Sequence, residues 1–362
     1  MNKKEIRATI KYAGAFIAWV IGSGFATGQE ILQFFSSYGY KSMAVLAVNL
    51  VGFVVLGVIM LTEGYKNKDV PDLNHYEYYC GKYIGKAYSV IIPVTLILLM
   101  SVLISAAGAT LKQYYSVNPY IGSAVMAVFI LAAYLVGFER LVKIVSRVSP
   151  FVIAFVILVS GYTVFRSFSG FGEIGSYTQQ LSEFCSAPHW SVSAVLYLSI
   201  NFFCGSTYYT ALGRTAESRK SAGLGALIGS LLLLTTITLM NFAILLNAKD
   251  ILSVSVPTLF LAEKISGVFG AVFSVILILG MFSSCSTMLW SFCSGFFRKD
   301  IKKNRIFSVI TVIGCMLLGF VPFGKLVSVA YPIIGYSGIV FIGAVIYKGI
   351  SERVKNGNKK IN

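Results

Sequence analysis

The chain alternates between long apolar segments and short polar connections, and ten apolar segments are long enough to cross a bilayer. A transmembrane helix needs about 20 apolar residues to span a hydrocarbon core of roughly 30 Å. The ten predicted spans cover residues 8–36, 42–64, 87–114, 118–138, 145–166, 190–213, 221–247, 267–297, 305–322 and 327–348. The pattern predicts an all-α integral membrane protein with ten transmembrane helices.

Three connections are long enough to carry structure of their own. Residues 65–86 are polar and aromatic, residues 167–189 are rich in Ser and Gly, and residues 253–264 are typical of a short surface or re-entrant helix. The connector at 167–189 separates spans one to five (residues 1–166) from spans six to ten (residues 190–348), with a tail at 349–362. Because each half has an odd number of spans, the halves have opposite orientations, as an inverted repeat requires.

Span one contains the least helical sequence of any span. AWVIGSGFATGQEILQFF (residues 18–35) places Gly22, Gly24 and Gly28 where a spanning helix is normally most regular, and Glu30 follows inside the apolar run. Each interior glycine costs about 1 kcal/mol relative to alanine, and a carboxylate near the bilayer centre costs roughly 2.5–3.5 kcal/mol. Interior glycines and an intramembrane carboxylate are both typical of a discontinuous transporter helix that binds a solute or an ion at its break.

Span six carries a similar polar cluster. VLYLSINFFCGSTYYTALGR (195–214) has Ser199, Asn201, Gly205, Ser206 and Thr207 in its middle. Gly24 and Gly205 lie about half the chain length apart, which favours a second, matching helix break. The alternative is that these small residues only let helices pack closely.

Composition and charge agree with the membrane class. The mean hydropathy is +0.78, 56% of the residues are hydrophobic and 12% are charged, against about 25% charged in soluble domains. Only six of the 30 Lys and Arg fall in alternate loops: Lys41, Lys112, Arg166, Lys249, Lys264 and Lys325. This bias predicts cytoplasmic termini in a bacterial plasma membrane. It also explains the net charge of +16 without nucleic acid.

The two predicted breaks supply candidate binding groups. Unpaired backbone N–H groups at a half-helix N-terminus suit a carboxylate, which selects Ser23, Gly24 and Phe25 in span one. A complementary set in span six comprises Cys204, Gly205 and Ser206, with Phe203 as a candidate pocket wall.

Glu30 is the main ionisable candidate. An intramembrane carboxylate usually faces a water-filled path or a partner, which leaves three roles open: counter-ion for a substrate amine, proton carrier, or structural clamp on loosened backbone. Glu63, at a span end, is expected to pair with Lys66 instead. No phosphate-binding loop, nucleophile elbow, zinc spacing or dinucleotide fingerprint occurs, so the sequence does not indicate an enzyme.

VIGSGF (residues 20–25) resembles the broken first helix of the amino acid–polyamine–organocation superfamily, which has the leucine-transporter fold of five-plus-five inverted repeats. The longer string GSGFATGQE followed by ILQFF is similar to the YkvI-like bacterial membrane proteins, regarded as amino-acid permeases. The resemblance covers essentially the whole chain.

The resemblance implies a sodium site and a function. In sodium-coupled members of this fold, two adjacent hydroxyl residues of helix eight join carbonyl groups of helix one. Ser283 and Ser284 match that pair, with the carbonyls of Ile21 and Gly24. The expected function is secondary active transport of a small zwitterion, with an amino acid as the expected solute. Transport would proceed by alternating access and be coupled to Na+ or H+. The alternative is a nutrient sensor of the same fold, as in germination receptors, without bulk transport.

Overall fold

The computed structural model describes residues 3–21, 23–70, 74–136, 149–297 and 300–358, and all of the regular secondary structure in them is helical. The α-helices are α1 (Lys3–Val20), α2 (Ser23–Ala26), α3 (Gln29–Phe34), α4 (Ser42–Lys66), α5 (His75–Tyr115), α6 (Pro119–Val136), α7 (Ser149–Arg166), α8 (Thr178–Leu181), α9 (Trp190–Arg214), α10 (Arg219–Leu245), α11 (Ala248–Ile251), α12 (Pro257–Ile265), α13 (Gly267–Phe297), α14 (Ile301–Leu318) and α15 (Phe323–Asn358). Three 3-10 helices cover Ser36–Lys41, Phe168–Tyr177 and Ser182–Phe184.

Five of the described helices are long and apolar enough to cross a membrane: Ser36–Lys66, His75–Tyr115, Arg219–Leu245, Gly267–Cys293 and Phe323–Ser351. The other predicted spans coincide with α1 to α3, α6, α7, α9 and α14, which are shorter, interrupted or less apolar. The end of the fourth predicted span and the start of the fifth lie outside the described residues.

The long helices pack into two groups. In the first, α1 lies on α10, and α4 lies between α9 and α10. In the second, α5 packs against α6 and α13, and α14 lies against all three. Helix α15 contacts α9 of the first group and α5 of the second, so it links the two groups.

The first apolar segment is divided into three helical pieces. Helix α1 ends at Val20, α2 is a single turn, and α3 begins after Gly28. Gly28 has φ +83°, a left-handed conformation that glycine adopts at little cost and that other residues disfavour. The glycine-rich sequence therefore turns the chain sharply between α2 and α3.

Span six has no break, and that prediction is wrong. Helix α9 runs without interruption from Trp190 to Arg214. Two of its polar side chains form hydrogen bonds without unwinding the helix: the Asn201 amide donates to the Tyr197 carbonyl at 2.9 Å, and the Ser199 hydroxyl donates to the Gly335 carbonyl. A Cβ at position 205 would lie 2.5 Å from Trp19 Nε1. Close packing, and not an unwound backbone, accounts for Gly205.

Two of the long connections contribute helical structure, and α12, in one of them, packs against α13 and α7. Helix α5 begins at His75, inside the polar connection, and bends at Gly81, where φ is 76° and ψ is 174°. Helix α12 occupies most of the predicted surface-helix stretch, on the opposite side of the bundle from the N-terminus.

Candidate functional site

The Glu30 carboxyl lies against the break in the first apolar segment. An ideal Cβ built on Gly24 would be 2.6 Å from Glu30 Oε1 and 2.9 Å from the Tyr331 hydroxyl. The Tyr331 hydroxyl itself donates a hydrogen bond of 2.8 Å to Glu30 Oε1. Because Gly24 has no side chain, the carboxyl can rest on the backbone of α2 while it is held from α15.

Aromatic rings surround this pair. The Phe34 ring lies one helical turn beyond Glu30, with its centroid 5.5 Å from that of Tyr197 and 6.3 Å from that of Tyr331. Tyr197 is 1% exposed, its hydroxyl makes no hydrogen bond in the described part of the chain, and it lies within electrostatic range of Glu30. The site thus contains the Glu30 carboxyl, the Tyr331 hydroxyl that donates to it, and the buried Tyr197 hydroxyl, which has no hydrogen-bond partner among the described residues.

The described residues supply no cationic partner for Glu30. Among the described residues no Lys, Arg or His forms an ion pair with it, whereas the predicted pairing of Glu63 is confirmed, with Lys66 Nζ 3.7 Å from Glu63 Oε2. The Tyr78 hydroxyl also donates to Glu63 at 2.9 Å. Glu30 is therefore a described acid that lies inside a membrane-spanning apolar segment without a charge partner of its own among the described residues.

The start of α12 closes the far side of the break. The Thr258 amide donates to the Thr27 carbonyl at 3.2 Å, and its hydroxyl donates to the Ala26 carbonyl. A Cβ at Gly28 would lie 3.1 Å from side-chain carbons of Pro257 and Thr258. The left-handed glycine thus also provides the space into which α12 fits.

A buried amide network extends this closure. Gln29 donates through Nε2 to the Ser255 carbonyl at 3.0 Å and accepts from Gln33 Nε2 at 3.2 Å. Gln33 Nε2 also lies 3.2 Å from the Gly324 carbonyl. Gln113, near the end of α5, donates to and accepts from the backbone of Val256. The segment before α12 is therefore tied to α3 and to α5 at once.

The predicted span-six residues do not gather around a helix end. Phe203 is fully buried among Tyr76, Tyr88 and Phe341, with the ring centroids of Phe203 and Tyr88 4.8 Å apart. The Ser206 hydroxyl donates to the Tyr76 hydroxyl at 2.7 Å, and Tyr76 lies 3.3 Å from the Phe203 carbonyl. These side chains join α9 to the beginning of α5.

Helix α13 packs against α2, so the serine-rich part of α13 and the break belong to neighbouring elements. Ser283 and Ser284 are both half-buried. The Gly24 carbonyl, one of the implied sodium ligands, already accepts two hydrogen bonds from Thr27, at 3.2 Å from its amide and 2.7 Å from its hydroxyl. The sodium site stays a prediction. Gly22 and the Ser23 side chain lie outside the described residues.

Sequence reasoning missed several residues that build this site. Tyr331 and Tyr197 sit in apolar helices where tyrosine gives no signal of its own, and Thr258 follows the proline that begins α12. The motif VPT (256–258) next to a helix start was the available signal for Thr258, since proline favours the first helical turn. Tyr76 lies in the polar, aromatic connection at 65–86, where the sequence pattern points to no partner for it.

Comparison with known proteins supports the fold and leaves the chemistry open. No family model matches the chain. It is 26% identical over 351 residues to the uncharacterized membrane protein YkvI of Bacillus subtilis strain 168, covering 94% of this chain and 96% of that protein. It is also 27% identical over 148 residues to the uncharacterized protein YyaD of the same strain, covering 41% of this chain and 43% of that one.

Two solved structures share the architecture. The inward-facing conformation of Mhp1 matches with a TM-score of 0.56 at 11% identity, over 93% of this chain and 75% of that one. MhsT in complex with L-phenylalanine matches with a TM-score of 0.52 at 13% identity, over 92% and 87%. Both are transporters of the leucine-transporter fold and not enzymes, and the resemblance drawn from the GSG motif is confirmed at the level of fold.

Proposed function

We propose that this protein is a secondary active transporter of a small zwitterionic solute, with amino acids as the first class. Support comes from the transporter fold together with one observation: the Glu30 carboxyl lies on the backbone of the broken segment at Gly24, with no cationic partner from the described chain. In transporters of this kind, discontinuous helices at the middle of the membrane form the solute and ion sites.

The amine of the solute is assigned to Glu30. The alternative partners were backbone carbonyls of span six, but α9 is an unbroken helix whose carbonyls take part in its own hydrogen bonds. Glu30 is the anion that remains beside the break. The solute carboxylate is proposed to contact the backbone around Ser23, Gly24 and Phe25, next to the ammonium group that Glu30 holds.

Alternating access would move the two helix groups relative to each other. Spans one, two, six and seven, which contain α1, α4, α9 and α10, form the moving group, and α5, α6, α13 and α14 form the scaffold. The ties between α12, α3 and α5 close the site on the side away from the N-terminus. Opening on that side requires the Thr258 and Gln29 hydrogen bonds to break.

The driving cation is Na+ or H+, and both termini are proposed to lie in the cytoplasm of a bacterial plasma membrane. Amino acids are the first solutes to test because MhsT, a structure of the same fold, holds L-phenylalanine. The fold likeness carries no side-chain preference.

A thermal-shift screen of the detergent-purified protein tests the solute class. Each common amino acid is added in NaCl and in choline chloride, since a ligand that binds only the folded state raises the melting temperature. We expect one amino acid to stabilise the wild type but not Gly24→Leu. The matched control is Gly14→Ala on α1, where a Cβ meets nothing within 4 Å; it should respond like the wild type.

Uptake of the stabilising amino acid into proteoliposomes then separates transport from sensing. Accumulation that depends on an imposed Na+ or H+ gradient supports the transporter, and loss of the Na+ effect in Ser283→Ala and Ser284→Ala supports the sodium site. Binding without flux under any gradient supports the sensor. Folded protein that no amino acid stabilises in either salt overturns the amino-acid assignment.

A further inference from the structure

We propose that Glu30 is a proton-binding site and that the ammonium group of the solute replaces the proton there, so that the protein exchanges H+ for its solute. The second half of this inference rests on the function proposed above. The first half rests on Glu30 alone and stands or falls separately.

The charge balance of Glu30 carries the argument. Glu30 is half-buried among apolar helices, where a carboxylate needs a cation close to it. No basic side chain among the described residues pairs with Glu30, so the described part of the chain does not supply that cation. A cation that binds reversibly must therefore neutralise the charge of the Glu30 carboxylate. A proton does this with the protein's own atoms, and an ammonium group does it when solute is bound.

The groups that face Glu30 suit both forms of the carboxyl. From α15, the Tyr331 hydroxyl donates to Oε1, which either form accepts. From α9, the buried Tyr197 hydroxyl, which has no hydrogen-bond partner among the described residues, lies close enough to interact electrostatically with Glu30, and its oxygen can accept a hydrogen bond from the protonated carboxyl through a water. From α2, Gly24 presents only backbone.

The remaining elements packed against α3 bring no competing charge. Helix α10 approaches through Asn241, which accepts from Ser36 and donates to Ser42, and its Arg219 and Lys220 lie at its opposite end. In the 3-10 helix that follows α3, Tyr38 donates to the Ala187 carbonyl and Lys41 is exposed at the far end. Lys325, near the start of α15, is exposed, so the two tyrosines are the titratable side chains placed around Glu30 by the described residues.

Sodium fits this position less well than a proton. The Gly24 carbonyl next to Glu30 already accepts from both the amide and the hydroxyl of Thr27, which uses both of its lone pairs. A sodium ion at the implied site would need the Gly24 carbonyl oxygen as a ligand, whereas a proton needs only the Glu30 carboxyl and one hydrogen-bond acceptor.

Infrared spectroscopy of the protein in lipid vesicles tests the proton site without any ligand. We compare the wild type with Glu30→Gln from mildly acidic to mildly alkaline pH, in H2O and in D2O. The expected result is a carbonyl-stretch band of a protonated carboxyl that shifts in D2O, disappears as the pH rises and is absent from Glu30→Gln. Glu63→Gln is the matched control, because Glu63 is buried but paired with Lys66; it should leave the band intact.

A wild-type spectrum without such a band across the whole pH range overturns the proton site, since Glu30 would then be ionised throughout. Loss of the same band in both variants would assign it to a group other than Glu30 and would also overturn it. Neither result depends on whether amino acids are the solute.

Proton release tests the exchange. A mixture of the common amino acids is added to weakly buffered wild-type protein at a pH where the infrared band is present. We expect release of about one proton per bound amino acid, because both cations share one carboxyl, and no release from Glu30→Gln. Stabilisation by an amino acid without proton release overturns the exchange. If no amino acid stabilises the protein or releases protons while the infrared band persists, the amino-acid function and the exchange are both overturned. The proton site is then still supported.

Discussion

The hydroxyl of Tyr331 donates a 2.8 Å hydrogen bond to the carboxyl of Glu30, 301 residues earlier in the chain. The bond ties α3, just after the break, to α15, the helix that contacts both helix groups. Movement of α3 relative to α15 must therefore change what the carboxyl binds. What the Glu30 carboxyl binds is thus linked to the relative position of α3 and α15, the helix that contacts both groups.

Gly24→Ala should impair solute binding while the protein stays folded. The added Cβ would come 2.6 Å from Glu30 Oε1 and 2.9 Å from the Tyr331 hydroxyl, so the carboxyl has to move away from the break. We expect the affinity for the stabilising amino acid to fall at least about 10-fold, equivalent to about 1.4 kcal/mol, as measured by isothermal titration calorimetry.

Gly14→Ala is the matched control for that substitution. Position 14 lies in α1 and has open space where the Cβ would go. Alanine there should raise the free energy of unfolding by about 0.5–1 kcal/mol through helix propensity and leave affinity unchanged. Equal affinity in both variants would show that the contact between Gly24 and Glu30 has no part in binding.

Tyr331→Phe removes the donor to Glu30 and keeps the ring that packs on Phe34. A hydrogen bond to a charged group contributes about 1.5–3 kcal/mol, so we expect transport at subsaturating solute to fall about 10-fold or more. Tyr336→Phe, at a 52% exposed position of the same helix, should transport like the wild type. Uptake into proteoliposomes measures both, and a Tyr331→Phe protein with normal uptake would contradict the role of this bond.

The hydropathy pattern predicts the helices well because it is a local property. Span two was predicted at 42–64 and the helix runs Ser42–Lys66, and the expected surface helix at 253–264 is found at Pro257–Ile265. The sharp turn in span one was also readable, since Gly28 takes a conformation that favours glycine.

The failure at span six has a physical cause. A glycine and a serine in an apolar helix indicate either an unwound backbone or a close contact, and only the neighbour decides between them. For Gly205 the neighbour is Trp19, and for Ser206 it is Tyr76. Both lie more than a hundred residues away in sequence. The partner of Glu30 was unpredictable for the same reason, because no local pattern points to Tyr331.

Tyr76→Phe should loosen the attachment of the start of α5 to α9. The Tyr76 hydroxyl accepts from Ser206 at 2.7 Å and donates to the Phe203 carbonyl at 3.3 Å, and the residue is buried. Its removal leaves the Ser206 hydroxyl without an acceptor, so we expect a loss of about 1–3 kcal/mol in the free energy of unfolding.

Ser206→Ala should cost less than Tyr76→Phe, and the double variant should cost little more than Tyr76→Phe alone, because the two hydroxyls form one interaction. Tyr83→Phe, at an 88% exposed position, is the control and should leave stability unchanged. Denaturation in mixed micelles gives the four values. Additive losses for Tyr76 and Ser206 would mean that their hydroxyls act independently.

Thr258→Val should weaken the closure on the side away from the N-terminus. Valine keeps the shape of threonine but cannot donate to the Ala26 carbonyl, while the amide bond to Thr27 remains. A loss of about 1 kcal/mol should speed local opening of α12 about 5-fold. Hydrogen exchange of the peptide that contains residues 256–265, followed by mass spectrometry, measures this rate.

Thr235→Val is the control, because the exposed Thr235 donates to the Leu231 carbonyl of its own helix, and it should not change exchange in α12. If the two variants exchange at the same rate in this peptide, Thr258 does not hold α12 on the break, and the closure must depend on the contacts of Gln29 and Gln113.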